Sequence, residues 1–135
     1  MSVIYRKNDR IKVRVDGLTL TISPLSYKEK CEIQAEVSKG DLTSAMNGSK
    51  MAVKYALKDI AGVKDSNGER YELEKDEQGY LTDECIDDLF NLQEVPKLTA
   101  VCLTLLTGVP QDFVDPSTGK KLKGISIVKD SSPKK

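Results

Sequence analysis

The sequence predicts an α+β fold that is mainly α-helical and begins with a β-hairpin. Residues 11–22 alternate between apolar and polar side chains on either side of Asp16-Gly17, which is the strongest short-range signal of a hairpin. A helix N-cap follows at Ser26, and three later segments carry apolar residues at helical spacing. We therefore expect about four helices after the hairpin, with a second small hairpin between the second and third helices.

The predicted N-terminal hairpin has one aliphatic face. Lys12 and Arg14 alternate with the apolar residues of the first strand, and Thr19 and Thr21 with those of the second. The aliphatic positions are Ile11, Val13, Val15, Leu18, Leu20 and Ile22. Because an isolated hairpin is only marginally stable in water, we expect this face to pack on the rest of the protein or on a partner.

The first helix is predicted to begin at Ser26, after Pro24 ends the second strand. Ser26 and Glu29 have the spacing of a capping box, and Gly40 is suited to close the helix. The apolar residues of this helix follow a helical period only roughly, and they are Tyr27, Cys31, Ile33, Ala35 and Val37.

The second helix has two candidate N-caps, Asp41 and Ser49. Asn47-Gly48 is expected to break or delay this helix, because glycine disfavours a helix interior. Its strongest part is therefore predicted over residues 50–60. The apolar face of that part consists of Ala52, Tyr55, Ala56 and Ile60.

The second hairpin is predicted around a turn at residues 65–68, with Val63 before the turn and Tyr71 and Leu73 after it. Thr82 is expected to cap a third helix over residues 83–92. The inward residues of that helix are predicted to be Ile86, Leu89 and Phe90.

A fourth helix is predicted with Pro96 in its first turn, ending before Gly108 and Pro110. It is the most hydrophobic helix, so we expect it to be the core element. Its predicted core residues are Leu98, Val101, Cys102, Leu105 and Leu106. Residues 125–128 favour one late strand.

Composition argues against several classes of protein. The 21 basic and 21 acidic residues give a formal net charge of zero, so no global field attracts nucleic acid or anionic lipid. No segment approaches the ~20 apolar residues of a membrane helix, and the first residues lack the apolar run of a signal peptide, so we expect a cytoplasmic location. Three cysteines without paired spacing argue against a disulfide framework and against zinc. Cys31 and Cys102 are expected to be buried thiols.

Charge is distributed unevenly along the chain. Residues 69–94 hold ten acidic and two basic residues, whereas residues 120–135 hold six lysines and one aspartate. These are either two solvated surfaces or regions that attract each other, within one chain or between two copies. We expect residues 1–110 to form a single α+β domain and residues 111–135 a basic, largely flexible tail. Deletion of residues 120–135 should then leave the fold intact.

The residues favour a binding protein over an enzyme. The chain has no histidine, which removes Ser-His-Asp and Cys-His nucleophiles and the commonest metal ligand. Acids in a first helical turn are typical of capping and solvation rather than of paired catalytic carboxylates, and this applies to Asp83, Glu84, Asp87 and Asp88. The turn at residues 65–68 lacks the spacing of a calcium loop, and residues 117–121 lack that of a phosphate loop. We predict no catalytic, metal-binding or cofactor-binding residues.

Protein binding is the function that the residues themselves support. We expect a partner either at the edge of the hairpin or at apolar residues that the small core leaves uncovered. The candidate core or partner-facing residues are Ile11, Val13, Leu18, Leu20, Tyr27 and Tyr55.

The order of these elements is similar to that of one known family. A short hairpin followed by ISPLSYKEKCEI, residues 22–33, resembles the start of tailed-bacteriophage tail assembly chaperones. Those proteins often begin with a strand, a proline-leucine-serine or proline-leucine-threonine step and a charged helix. The helical segment at residues 49–60 and the late helix pair at residues 82–106 agree in order and length. The resemblance covers residues 11–107.

The resemblance implies a non-catalytic helper in the cytoplasm of the infected host. Such proteins coat the long, aggregation-prone tape measure protein and help tail tube subunits polymerise around it. Both are therefore implied partners, self-association is also open, and neither nucleic acid nor membrane is implied. Members often have a longer form made by ribosomal frameshifting, and the codons of Lys134-Lys135 could form an A-rich slippery run.

Two other functions remain open at this point. The first is a structural phage virion component, such as a tail or head-tail connector subunit. The second is an enzyme that acts through the carboxylates of residues 83–88. Assembly of the purified protein into rings or tubes would favour the first, and divalent-metal binding that stabilises the fold would favour the second.

Overall fold

In the computed structural model, helices pack against a four-stranded antiparallel sheet, and residues 4–110, 113 and 124–127 are described. The strands are β1 (Ile11–Val15), β2 (Leu18–Ile22), β3 (Leu57–Ala61) and β4 (Ile125–Ile127). The helices are α1 (Tyr27–Val37), α2 (Leu42–Ala56), α3 (Asp83–Leu89) and α4 (Val95–Thr104), followed by a 3₁₀ turn at Leu105–Thr107. The predicted α+β fold with an N-terminal hairpin and four helices is confirmed.

The N-terminal hairpin forms as the sequence predicts. Its register pairs Ile11 with Ile22 and Val15 with Leu18 across the turn at Asp16-Gly17. Asp16 has a φ of +52°, a left-handed conformation that aspartate tolerates better than most residues. The aliphatic positions of both strands are all buried, so the apolar face packs inside this chain.

The sheet extends beyond the hairpin on both sides, in the order β3-β2-β1-β4. Ile22 of β2 pairs with Leu57 of β3, and Val15 of β1 pairs with Ile125 of β4. The predicted late strand is therefore confirmed. β3 pairs with one edge of the hairpin and β4 pairs with Val13–Val15 on the other, so these positions are closed to a partner strand; a partner at the hairpin edge stays a prediction.

The first helix is held by the predicted capping box. The Glu29 backbone N–H donates to Ser26 Oγ at 3.1 Å, and the Ser26 N–H donates to Glu29 Oε1 at 3.0 Å. Within α1 only Glu29 and Ile33 are buried. The cap therefore fixes the start of a helix that contributes little to the core.

The second helix begins earlier and ends earlier than the sequence predicts. Asp41 is its N-cap and accepts a hydrogen bond from the Ser44 N–H at 2.7 Å, so Ser49 is not the cap. The helix runs through Gly48, and α1 approaches there so closely that a Cβ on Gly48 would collide with the Val37 side chain. After Ala56 the chain enters β3, which pairs with β2 and buries Leu57 and Ile60.

The predicted second hairpin forms as a short paired segment around the turn at residues 65–68, and a second turn of the same kind follows it. In each turn an aspartate Oδ1 accepts hydrogen bonds from the backbone N–H groups two and four residues later. The glycines, Gly68 and Gly79, adopt φ values of +83° and +84°. Lys64 and Arg70 form a bridge around the first turn, and the Tyr71 N–H donates to the Val63 carbonyl at 2.9 Å; Lys75 and Leu81 form a bridge around the second turn. The turn at residues 65–68 was predicted from the sequence, and the second turn was not.

The last two helices lie largely as predicted. Thr82 caps α3, which ends at Leu89 instead of Leu92. Pro96 lies in the first turn of α4, the predicted core element. The buried residues of these helices and of the 3₁₀ turn are Cys85, Ile86, Leu89, Leu98, Val101, Cys102 and Leu105. None of the helices in the described residues is long and apolar enough to cross a membrane.

The hydrophobic core extends past the boundary predicted at residue 110. Phe113 and Ile125 are buried in the same cluster as the sheet and helices. Deletion of residues 120–135 would remove β4. We therefore expect this deletion to lower the stability of the fold, although the sequence led us to expect an intact fold. A flexible tail was predicted for residues 111–135. Apart from residues 113 and 124–127, this tail lies outside the described residues.

Candidate protein-binding surface

The structure separates the six residues predicted to be core or partner-facing. Ile11, Val13, Leu18 and Leu20 have at most 6% of their surface exposed, so they belong to the core and do not face a partner. Tyr27, in contrast, is 82% exposed at the start of α1.

Tyr55 belongs to an internal polar contact. Its hydroxyl donates to Glu32 Oε1 at 2.6 Å, and its ring lies 4.8 Å from that of Tyr80. Burial and the neighbouring Glu32 carboxylate raise the pKa of Tyr55, so its hydroxyl remains a donor. This half-buried residue fixes α1 against α2 and is a poor candidate for a partner contact.

A second polar group, the Glu29 cluster (Lys7, Ser26, Glu29 and Tyr80), anchors the start of α1. The buried Glu29 carboxylate accepts from Lys7 Nζ at 2.7 Å and from the Tyr80 hydroxyl at 2.7 Å, as well as from the Ser26 N–H. Burial alone would raise its pKa, but these hydrogen bonds and the Lys7 charge lower it overall. The cluster joins segments that are distant in sequence, and its role is structural.

Lys58 on β3 lies beside this cluster. Its Nζ is 5.5 Å from the centroid of the Tyr80 ring, a cation–π distance. Burial, followed by the charges of Lys7 and Arg10, lowers the pKa of Lys58 to about 8. A charged residue of this kind on an edge strand discourages pairing with another sheet.

Large apolar side chains are exposed at the outer positions of α1 and α2. On α1, Tyr27, Cys31 and Ala35 are four residues apart and all exposed, because the buried positions of that helix are Glu29 and Ile33 on the opposite side.

The prediction that Cys31 is a buried thiol is therefore wrong, whereas the prediction for Cys102 is confirmed.

The exposed apolar positions of α2 are the larger ones. Leu42 is 77% exposed and Met46, one turn later, is 56% exposed. The side of α2 that faces the protein consists of smaller residues, namely Ser44, Gly48, Ala52, Val53 and Ala56. Because those small residues allow close packing, they occupy the inside and the two long side chains remain in solvent.

A groove of about 520 Å³ runs between α2 and α3. Met51 and Ile86 are its apolar lining, with Ile86 itself only 4% exposed. The polar lining residues are Glu36, Asn47, Lys50, Lys54, Asp83 and Asp87. Met46 precedes Lys50 by one helical turn, so the exposed apolar positions of α2 continue toward the groove. We call the groove together with Leu42 and Met46 the α2–α3 surface.

Sequence reasoning did not identify the α2–α3 surface. Asp83 and Asp87 were recognised only as acids of a first helical turn, and Lys50 and Lys54 only as part of a helix. The i, i+4 spacing of each pair was visible, but β3 and two turns separate the pairs in the chain. Only the packing of α3 beside α2 brings them to one groove.

The acidic residues of α3 are all exposed. Within the described residues, no group of three or more histidine, cysteine, aspartate or glutamate side chains is placed to hold a metal ion. The absence of catalytic, metal and cofactor sites stays a prediction.

No protein-family model, curated protein or solved structure matches this chain.

Proposed function

We propose that this chain is a non-catalytic helper of the phage tail assembly chaperone kind, acting in the host cytoplasm. It would hold helical segments of a tape measure protein until tail tube subunits replace it. The resemblance of the N-terminal hairpin and capped helix supports the family, and the α2–α3 surface supports the mode of binding.

The observation that carries the proposal is the exposure of Leu42 and Met46 on the helix whose later residues line a groove with Met51 and Ile86 as its apolar part. Single exposed apolar residues are ordinary on protein surfaces, but large ones one helical turn apart next to a concavity are typical of an interaction site. A helix lying in a groove buries its apolar stripe there and leaves its polar side in water.

The mechanism is passive. Each apolar side chain of the client that enters the groove is removed from water, which contributes about 25 cal/mol per Å² buried. The groove is open and has charged walls, so it covers only one side of a helix. Several copies of this chain would therefore be needed to coat a long client. A tail tube subunit could then displace each copy in turn.

Co-expression tests this proposal directly. The chain is produced together with a helical fragment of the tape measure protein encoded near it, and the soluble client is measured. We expect the wild-type chain to keep the fragment soluble and to elute with it, and the double variant Leu42→Gln, Met46→Gln to lose both effects. Thr43→Gln is the matched control, because it changes an exposed polar residue in the same helical turn.

The outcome that contradicts the proposal is a client that stays soluble equally well with and without the chain, or with the double variant. The gene supplies an independent check. An A-rich slippery run across the last codons, with an overlapping frame and a very long helical gene beyond it, is expected, whereas an isolated gene with an ordinary stop would remove this support.

The alternative, a structural virion component, predicts rings or tubes of the purified protein. The two outer strands of the sheet in the described residues are β3 and β4, and on β3 Lys58 and Asp59 place charges at the edge. Because charged edge strands resist edge-to-edge association, β3 favours a soluble helper over a polymerising subunit. Electron microscopy and sedimentation of the purified chain separate the two proposals.

A further inference from the structure

Two rows of opposite charge line the groove between α2 and α3. Lys50 and Lys54 lie one turn apart on α2, and Asp83 and Asp87 lie one turn apart on α3. No ion pair in the described part of the chain joins the two rows. Each wall therefore offers two charges at helical spacing that are not neutralised across the groove.

Glu36, at the end of the groove, is in a different state. Its carboxylate accepts hydrogen bonds from Lys39 Nζ at 3.0 Å and from Asn47 Nδ2 at 3.1 Å. This acid is thus already satisfied within the chain. The charges available to a ligand are the lysines of one wall and the aspartates of the other.

We infer that the groove recognises an amphipathic helix whose apolar stripe is bordered by acidic side chains on one flank and by basic side chains on the other. The inference rests on the proposed function and deepens it, since it names the chemistry of the client segment. The apolar stripe lies over Met51 and Ile86. The acidic flank faces Lys50 and Lys54, and the basic flank faces Asp83 and Asp87.

The spacing of the two charges along each wall fits a docked helix better than an extended peptide. Residues four apart on a docked helix stand one turn apart, which is the spacing within each charged pair of the groove. A helix of the stated pattern makes opposite-charge contacts on both flanks at once. If that helix is reversed end to end, its flanks exchange sides and like charges meet, so the two walls also fix its direction.

Three designed helical peptides test the inference on the full-length chain. All carry the same apolar stripe and a fluorescein label, and they differ only in their flanks, which are mixed, all acidic or all basic. Binding is measured by fluorescence anisotropy at low and high salt. We expect the mixed-flank peptide to bind about tenfold more tightly than either uniform peptide at low salt. That difference should shrink at high salt, because the charges are exposed.

Charge reversal on one wall sharpens the test. In Lys50→Glu, Lys54→Glu both walls are acidic, so the all-basic peptide should become the tightest ligand. The matched control is Lys28→Glu, Lys64→Glu, which makes the same change in net charge at two exposed lysines outside the groove. The control should keep the original order of affinities. Circular dichroism of both variants confirms that each remains folded.

Three results would overturn the inference. Equal affinity for all three peptides, lost in Leu42→Gln, Met46→Gln, would remove the charge rule and leave the proposed function standing. No binding of any peptide, with a client that stays soluble without the chain, would remove both. Self-association of the chain that disappears in Lys50→Glu, Lys54→Glu would show that the groove holds a second copy.

Discussion

Helices α1 and α4 are similar in length, with 11 and 10 residues, but different forces hold them in place. Helix α4 buries Leu98, Val101 and Cys102, so the hydrophobic effect fixes it in the core. Helix α1 buries only Ile33 and Glu29. It is positioned by the capping box and the Glu29 cluster, and it leaves apolar side chains in solvent.

The difference teaches that the residues that stabilise the core and the exposed apolar residues proposed to bind a partner lie in separate parts of this molecule. Substitutions in α4 should change the free energy of unfolding, whereas substitutions at the outer positions of α1 and α2 should change binding alone. The comparison also explains why hydrophobicity along the sequence is a poor guide to the binding surface. The most apolar helix is the core helix, and the exposed apolar residues lie on less hydrophobic ones.

The largest expected effect is the loss of a core side chain in α4. Leu98→Ala should lower the free energy of unfolding by about 2–5 kcal/mol, because Leu98 is completely buried and its removal leaves a cavity. Tyr27→Ala in α1 is the paired control and should change the free energy of unfolding by less than about 0.5 kcal/mol. Urea unfolding of both variants checks the prediction. Equal effects would break the distinction between the two helices.

Removal of β4 should have the next largest effect. Deletion of residues 120–135 removes the buried Ile125 and the pairing with β1, so we expect a loss of about 2–4 kcal/mol in the free energy of unfolding. A deletion of residues 128–135 retains β4 and is the control. Thermal unfolding compares the two truncated chains. An unchanged melting temperature for the longer deletion would show that β4 adds nothing to the core.

Loss of the Glu29 charge should have an intermediate effect that depends on pH. The pKa of Glu29 is lower in the folded chain than its usual value of 4.5. Its contribution is therefore complete above that pH and is lost as the pH falls through the lower folded value. Glu29→Gln should reduce the free energy of unfolding by about 1–2 kcal/mol at neutral pH and by less in acid.

Unfolding curves measured from neutral pH down to acid check this prediction, with Glu72→Gln as an exposed control. The difference between Glu29→Gln and the wild-type chain should narrow as the pH falls, and the control should follow the wild type throughout. A difference that stays constant with pH would mean that the carboxylate charge does not hold α1.

The smallest expected change in stability belongs to the binding surface. Leu42→Gln, Met46→Gln should alter the free energy of unfolding by less than about 0.5 kcal/mol, because both side chains are mainly in solvent. The same variant is expected to lose the client. A large destabilisation would instead assign Leu42 and Met46 to the structure and weaken the separation between the two regions.

The features that the sequence predicted correctly depend on neighbouring residues. Alternation around Asp16-Gly17 predicted the hairpin, and the spacing of Ser26 and Glu29 predicted the cap of α1. The N-cap Thr82 and the apolar period of α4 are equally local. Each of these is set by hydrogen bonds or side-chain directions within a few residues, so no knowledge of distant contacts is needed.

The features that the sequence missed depend on contacts between distant segments. Gly48 lies inside α2 where α1 passes close to it, and residues 57–61 form a strand that pairs with β2. Cys31 is exposed because α1 packs against the rest of the protein through its opposite face. Similarly, the late strand was predicted, but its place beside β1 was not.

By itself, then, the sequence determined the fold class, the hairpin, the helix caps and the core face of α4, because periodicity and capping act over a few residues. Tertiary structure alone decided which apolar residues stay in solvent, which strands form the sheet edges and which charges line one groove. Burial and groove formation arise from packing between segments far apart in the chain, and local sequence patterns do not predict that packing.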